Sequence, residues 1–215
     1  MNAKTSTILA VLALSAASLA ALQSSRPSSP PGAAAIQVGG EWVDADGRSR
    51  FEGGHWIEIT YGRPILRGRE NIFGEGKEYG ERVEAGAPVW RAGANVSTRL
   101  STEVDLMFGD QRVPAGEYSL FIDLASPTEW TLIVSSWDAQ EQYDPNDKTA
   151  LWGSYGYTPD KDVARVPMKV QSLGVRVEQL TFGFIDVSKS AGTLTLWWEQ
   201  VMATAPFEVA DAESE

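Results

Sequence analysis

The chain contains no cysteine in its 215 residues. That removes disulfides, thiol nucleophiles, cysteine-ligated zinc, iron–sulfur centres and a lipid-modified cysteine. Histidine is nearly as scarce, with His55 the single example. A multi-histidine metal site is therefore excluded. Ser-His-Asp chemistry has one available base, and no Gly-x-Ser-x-Gly elbow accompanies it. Positive charge is also short: 18 Lys+Arg stand against 29 Asp+Glu, a net −11. A surface of that sign repels phosphate backbones, so nucleic acid is not an expected partner. Solubility accounts for the acidity first, and a basic partner surface or a divalent cation would also suit it. Finally, no helical period of useful length occurs after residue 22.

An uncharged run does occur, between Lys4 and Arg26, with its apolar heart from Ile8 through Leu14 and on to Leu22. A positive start, a short apolar region and small residues around Ser18-Leu19-Ala20 describe a signal peptide. The run also has about the length of a membrane-spanning helix, roughly 18 residues or more. Retained as an anchor, it would keep Lys4 in the cytoplasm and contact the membrane through residues 5–22. Both readings export the body, to the periplasm. The expected layout is a hydrophobic helix over 1–22, a Pro/Ser/Ala-rich tether over 23–35, a folded body over 36–208 and an acidic tail over 209–215. Removing residues 1–22 takes away only Lys4, which leaves 17 basic against 29 acidic residues, a net −12.

Period-two alternation dominates the body. Glu41-Trp42-Val43 and Ser49-Arg50-Phe51 flank Asp46-Gly47, which suits a tight primed hairpin turn. Ile57, Ile59 and Tyr61 share one face of the next strand, with His55 at its mouth as a packed or rim residue. Further strands are expected from Val96 to Met107, Glu117 to Leu124, around Trp130 to Val134, Val163 to Val170, Val177 to Ile185, Thr193 to Trp198 and Val201 to Val209. The second, third and first of these read as a meander. About nine or ten strands, with eight Trp, seven Phe and six Tyr to fill a core, give an all-β fold: an antiparallel β-sandwich or jelly roll.

From Arg63 to Ala87 the alternation fails, and two prolines and many glycines mark a long irregular excursion. Arg63, Arg67, Arg69, Arg82 and Arg91 lie in or beside it, a concentration of positive charge in an acidic protein. Tyr61-Gly62-Arg63-Pro64 opens it, and Pro88-Val89-Trp90-Arg91-Ala92-Gly93-Ala94-Asn95 closes it. Tyr61, Arg63, Arg69, Trp90, Arg91 and Asn95 are the candidate binding residues here, joined by Trp152 and Tyr155 from a glycine-spaced aromatic loop. Guanidinium forks suit carboxylate or phosphate, and aromatic faces suit sugar rings. The plainer alternative is architectural: the arginines stack on Trp90 and Tyr61, pair with Glu58, Glu70 or Glu84, and pin the loop. No cofactor or metal site is expected. The acidic loop from Ser136 to Ala150 could offer oxygen ligands to calcium, but Pro145 breaks the spacing and it reads as solvated.

Tyr61-Gly62-Arg63-Pro64, Gly68-Arg69, Ile72-Phe73-Gly74 and Trp90 to Asn95 resemble a family of exported bacterial proteins known as a domain of unknown function, number 2911 in that series. Pro114 to Phe121, Glu129-Trp130-Thr131, Trp152 to Tyr157, Asp162, Arg165-Val166 and Glu178 to Phe182 extend the resemblance. It covers most of residues 55–208 and implies an all-β exported domain with no established activity. The stretches between Gly74 and Trp90 and from Asp138 to Thr149 look longer than the family pattern, and the region before His55 looks added.

Three functions remain open. A non-catalytic interaction module, tethered to the membrane as an accessory subunit and partnered by another envelope protein, fits the long loops and the sparse catalytic inventory. A small-ligand or carbohydrate-binding domain would use the arginine and aromatic residues. A carboxylate-dependent hydrolase would draw on residues such as Glu58, Glu103 and Asp105, the last two better read as a solvent face.

Overall fold

The computed structural model describes residues 27–210. The expected N-terminal hydrophobic helix and most of the acidic tail lie outside these residues. No described helix is long and apolar enough to cross a membrane.

Two long strands lead the fold: β1 (Pro31–Ala45) and β2 (Arg48–Gly62), paired antiparallel from Pro31↔Gly62 to Ala45↔Arg48. Asp46 and Gly47 turn the ribbon with φ of 54° and 74°, the left-handed pair whose twist matches that of the flanking strands. Residues 31–35, placed in the tether by their composition, are strand. Pro31 sits at the first position of an edge strand, where its missing N–H breaks no ladder, and each following alanine gains a β2 partner.

The remaining strands are β3 (Thr98–Thr102), β4 (Leu106–Phe108), β5 (Gln111–Val113), β6 (Gly116–Ser126), β7 (Glu129–Ser135), β8 (Asp138–Ala139), β9 (Ala150–Leu151), β10 (Asp162–Ile185) and β11 (Ala191–Val209). Nine form one antiparallel sheet in the order β1-β2-β3-β6-β7-β10-β11-β4-β5, and β8 and β9 make a separate parallel pair. The expected meander is β3-β6-β7. The single strand expected over Val96–Met107 divides, because Thr102 bends the chain by donating to Val104 O (2.6 Å), and β4 then pairs with β11. The strands expected at Val163–Val170 and Val177–Ile185 are joined as β10, whose first part pairs with β7 and whose remainder pairs with β11. Irregular register between Ser172 and Thr181 lets one strand serve both neighbours.

The excursion packs against this sheet. Leu66 N–H donates to Glu178 O and Leu180 N–H to Pro64 O, while Trp90 and Ile122 exchange backbone bonds at 2.9 and 2.8 Å. Its Leu66, Ile72, Phe73 and Trp90 are buried. Phe73 meets Trp90, Trp130 and Trp198 edge-on or tilted, and Trp90 stacks on Trp198 at 5.9 Å. Two short helical turns, Gly76–Glu78 and Glu81–Glu84, interrupt it.

Candidate arginine-lined cavity

Arg63, Arg69, Arg82 and Arg91 donate to backbone carbonyls. Arg63 Nε reaches Leu180 O (3.1 Å), and its Nη2 reaches Thr181 Oγ1 (3.1 Å). Arg69 holds Leu66 O and Ile65 O at 3.0 and 2.7 Å. Arg82 holds Asn71 O and Glu70 O at 3.1 and 3.3 Å, and Arg91 holds Asn95 O at 2.7 Å. The expected ion pairs with Glu58, Glu70 or Glu84 do not form, and Glu70 faces Arg176 instead (3.8 Å). Carbonyls fix a guanidinium in place without neutralising it. Each of Arg69, Arg82 and Arg91 also keeps donors without an acceptor among the described residues, since a guanidinium carries about five N–H groups.

These three arginines line one cavity of about 280 Å³, with Asn95, Trp90 and Trp198 also in its wall. Among the described residues no aspartate or glutamate lines it. Trp90 is 1% exposed, so it contributes the floor through its stacking with Trp198 rather than an open ring face. The indole N–H of Trp198, itself 2% exposed, has no acceptor among the described residues. An unmet buried donor costs about 1–3 kcal/mol. Three guanidiniums with no ion-pair partner among the described residues and an indole with an unmet N–H therefore share one wall, although Arg82 also borders a hollow lined by Glu75, Glu78 and Glu81. Arg82 was visible in the sequence as one of the excursion's arginines, whereas Trp198 carried no signal beyond an alternating strand.

The sequence-selected residues divide between places. Arg69, Trp90, Arg91 and Asn95 share the cavity. Tyr61 is buried on the sheet, where its hydroxyl accepts from Phe182 N–H (2.9 Å), and Arg63 lies along β10. The expected fastening of Arg91 and Asn95 to Tyr61–Pro64 takes another form. Asn95 reaches back to Ser29 O (3.3 Å), and the two segments are joined through Gly62, whose carbonyl accepts from Ala94 N–H (3.2 Å). A Cβ on Gly62 would lie 1.9 Å from Ala94 O.

Trp152 and Tyr155 line a second cavity, of about 320 Å³, with Trp137, Tyr143 and Gln140. It adjoins the first: the Arg91 guanidinium lies 5.1 Å from the centre of the Tyr155 ring and packs against Gly153. Gln140 is buried inside the acidic loop, and its amide reaches the carbonyls of Asp144, Asp147 and Ala150. Asp147 Oδ1 accepts from Thr149 N–H and Oγ1–H, and these bonds hold its carboxyl below the usual carboxylate range. A wider cleft of about 850 Å³ runs between the start of β1 and Asp138–Glu141. Its guanidinium, Arg99, is already paired with Glu117 (3.3 Å).

A further polar network ties the aromatic loop to the sheet. Tyr157 Oη donates to Asp162 Oδ2 (2.7 Å), and Arg165 bonds Asp162 (3.0 Å) and Asp123 (2.7 Å). Burial, reinforced by the Asp162 carboxylate, pushes the Tyr157 phenol well above its ordinary value. Of the carboxylates considered for hydrolysis, Glu103 accepts from Trp56 N–H (2.7 Å), and Asp105 holds Arg112 and Ala115 N–H. These contacts are structural.

Fold and cavity together define an all-β protein, its main sheet antiparallel, whose long loop builds an arginine-lined cavity with no described carboxylate in its wall. Residues 47–207 match the family described as Protein of unknown function (DUF2911), and the chain belongs to that family. The match takes in residues 47–54, which had looked added, and leaves β1 outside it. No curated protein and no solved structure matches the chain.

Proposed function

We propose that the protein is an exported, non-catalytic domain of β-sandwich type that binds a small carboxylate- or phosphate-bearing ligand in the arginine cavity. One observation carries this reading. In a strongly acidic chain, three arginines share a cavity that no described aspartate or glutamate lines. Surface arginines in so acidic a chain readily find carboxylates, as Arg50, Arg99, Arg112, Arg165 and Arg176 do here. Charge-assisted bonds to an anion would use the spare N–H groups of the three arginines. Export rests on the run from Lys4 to Leu22. A role beside a partner protein is supported by Trp42, 70% exposed, which stands with Phe51 and Trp56 on the β1–β2 ribbon.

Calorimetric titration with phosphate and acetate tests the cavity. Binding is expected for the wild type, and Arg82→Gln is expected to weaken it roughly 10- to 100-fold, the effect of losing one hydrogen bond to a charged group. Glutamine keeps an amide donor for Glu70 O and Asn71 O, so an unchanged melting temperature separates binding from folding. If neither anion binds, or Arg82→Gln binds as well as the wild type, the reading is wrong.

A further inference from the structure

The arginine cavity has a neighbour of different chemistry, and the two meet where Arg91, which lines the first, lies over the ring of Tyr155, which lines the second. In that second cavity Tyr143 is 64% exposed and tilts toward Trp152 at 6.0 Å. Tyr155 closes the side shared with Arg91 and is fixed there by donating to Ala85 O (2.9 Å). Asp144, Asp147 and Lys148 line the same cavity. Aromatic faces beside carboxylate and amide groups suit a pyranose: its C–H face rests on the ring, and its hydroxyls donate to carboxylate oxygens. Two carboxylates there would repel a second acid. The paired cavities are thus polarised, cationic and free of carboxylate on one side of Arg91, aromatic and acidic on the other.

We propose that the ligand is a saccharide with its acidic group at one end. The carboxylate or phosphate would sit among Arg69, Arg82 and Arg91, with a neutral sugar ring against Tyr143 and Trp152. This rests on the anion-binding reading above and adds to it the class of molecule that carries the anion. Arg91 is the residue common to both halves: it faces the anion and is positioned by the Tyr155 ring. Gly153 belongs to the same device. It has a φ of 66°, and a Cβ there would lie 2.4 Å from Arg91 Nη1, so a side chain would displace the guanidinium.

The test is titration of the whole exported protein with four kinds of probe. Trehalose 6-phosphate, lactobionate and an aldobiouronic acid carry one acid and one neutral ring. Inorganic phosphate and glucuronate supply the acid without the second ring. Trehalose and lactose are neutral, and digalacturonate is acidic at both ends. At least one of the first group is expected to bind about tenfold or more tightly than phosphate or glucuronate, because one molecule then occupies two adjoining subsites. Tyr143→Ala, at an exposed position where folding is not at stake, should collapse that ratio to near one, and Trp152→Ala should do the same. The proposal is overturned if no singly acidic saccharide exceeds phosphate, if the ratio survives both substitutions, or if digalacturonate binds as tightly as the best of them. Phosphate binding with no gain from the ring defeats this inference alone, whereas no binding of either phosphate or glucuronate defeats the anion-binding reading and this inference with it.

Discussion

Gly62 shows how much one residue can decide. Its carbonyl accepts from Ala94, and its missing side chain lets the end of the excursion lie against the end of β2. The obstacle to a larger residue is backbone, which cannot rotate aside as a side-chain tip would. Gly62→Ala is expected to cost about 3 kcal/mol, the upper end of the range for overpacking. The loss should appear as a lower denaturation midpoint with an unaltered m-value. A midpoint within experimental error of the wild type would show that Ala94 can move away. The arginines make the complementary point. Five of them in a glycine-rich stretch were legible as a concentration of charge, but their partners were not. Sequence reasoning assigned them carboxylates because carboxylates are abundant, and the fold gave several of them carbonyls that the irregular loop leaves outside any ladder.

Among elements, the aromatic loop before β10 depends on a half-buried polar network rather than on regular pairing. Tyr157, Asp162 and Arg165 hold it to Asp123 on β6. The fold favours the neutral Tyr157 phenol, chiefly through burial and then through its bond to Asp162. Its folded pKa is raised, so its contribution is complete below the unfolded value of about 10 and declines as pH climbs beyond it. Thermal melts from pH 8 to 11 should therefore show wild-type stability falling more steeply than that of Tyr157→Phe. At neutral pH the variant should start lower by roughly 1.5–3 kcal/mol for the lost hydrogen bonds to the charged Asp162 and Arg165. Parallel curves over that range would assign the alkaline loss to other tyrosines. The strands themselves were largely legible, because alternation survives in Ile57-Ile59-Tyr61 and in Tyr118-Leu120-Ile122. Their limits were less so. Nothing in Pro31-Gly32-Ala33-Ala34-Ala35 signals a strand until β2 lies beside it, and β10 reads as two strands because its pattern lapses where it changes neighbours.

On the scale of the whole molecule, a net −11 surrounds a cavity lined by three cations. Its wall offers arginine, asparagine and tryptophan, none of which changes charge near neutrality. His55 lies on β2 outside it. Sulfate keeps a fixed charge through the same range. Its affinity is accordingly expected to be flat from pH 6 to pH 9, within about twofold, when followed by tryptophan fluorescence or calorimetry. A sigmoidal change over that range would bring a titrating group into the binding event and overturn this expectation.

Sequence alone determined the all-β class, the antiparallel hairpins, the sparse catalytic inventory and the family, because these depend on residue types and on spacing over a few positions. Tertiary structure alone decided the partners of the arginines and the meeting of Arg69, Arg82 and Arg91 with Trp198 from β11. That meeting joins positions more than a hundred residues apart through a loop without periodicity. Backbone pairing between Pro64–Leu66 and Glu178–Leu180 and between Trp90 and Ile122, the Glu199 carboxylate on Asn71 and Ile72 N–H, and the packing of Phe73 and Trp90 on Trp198 bring them together.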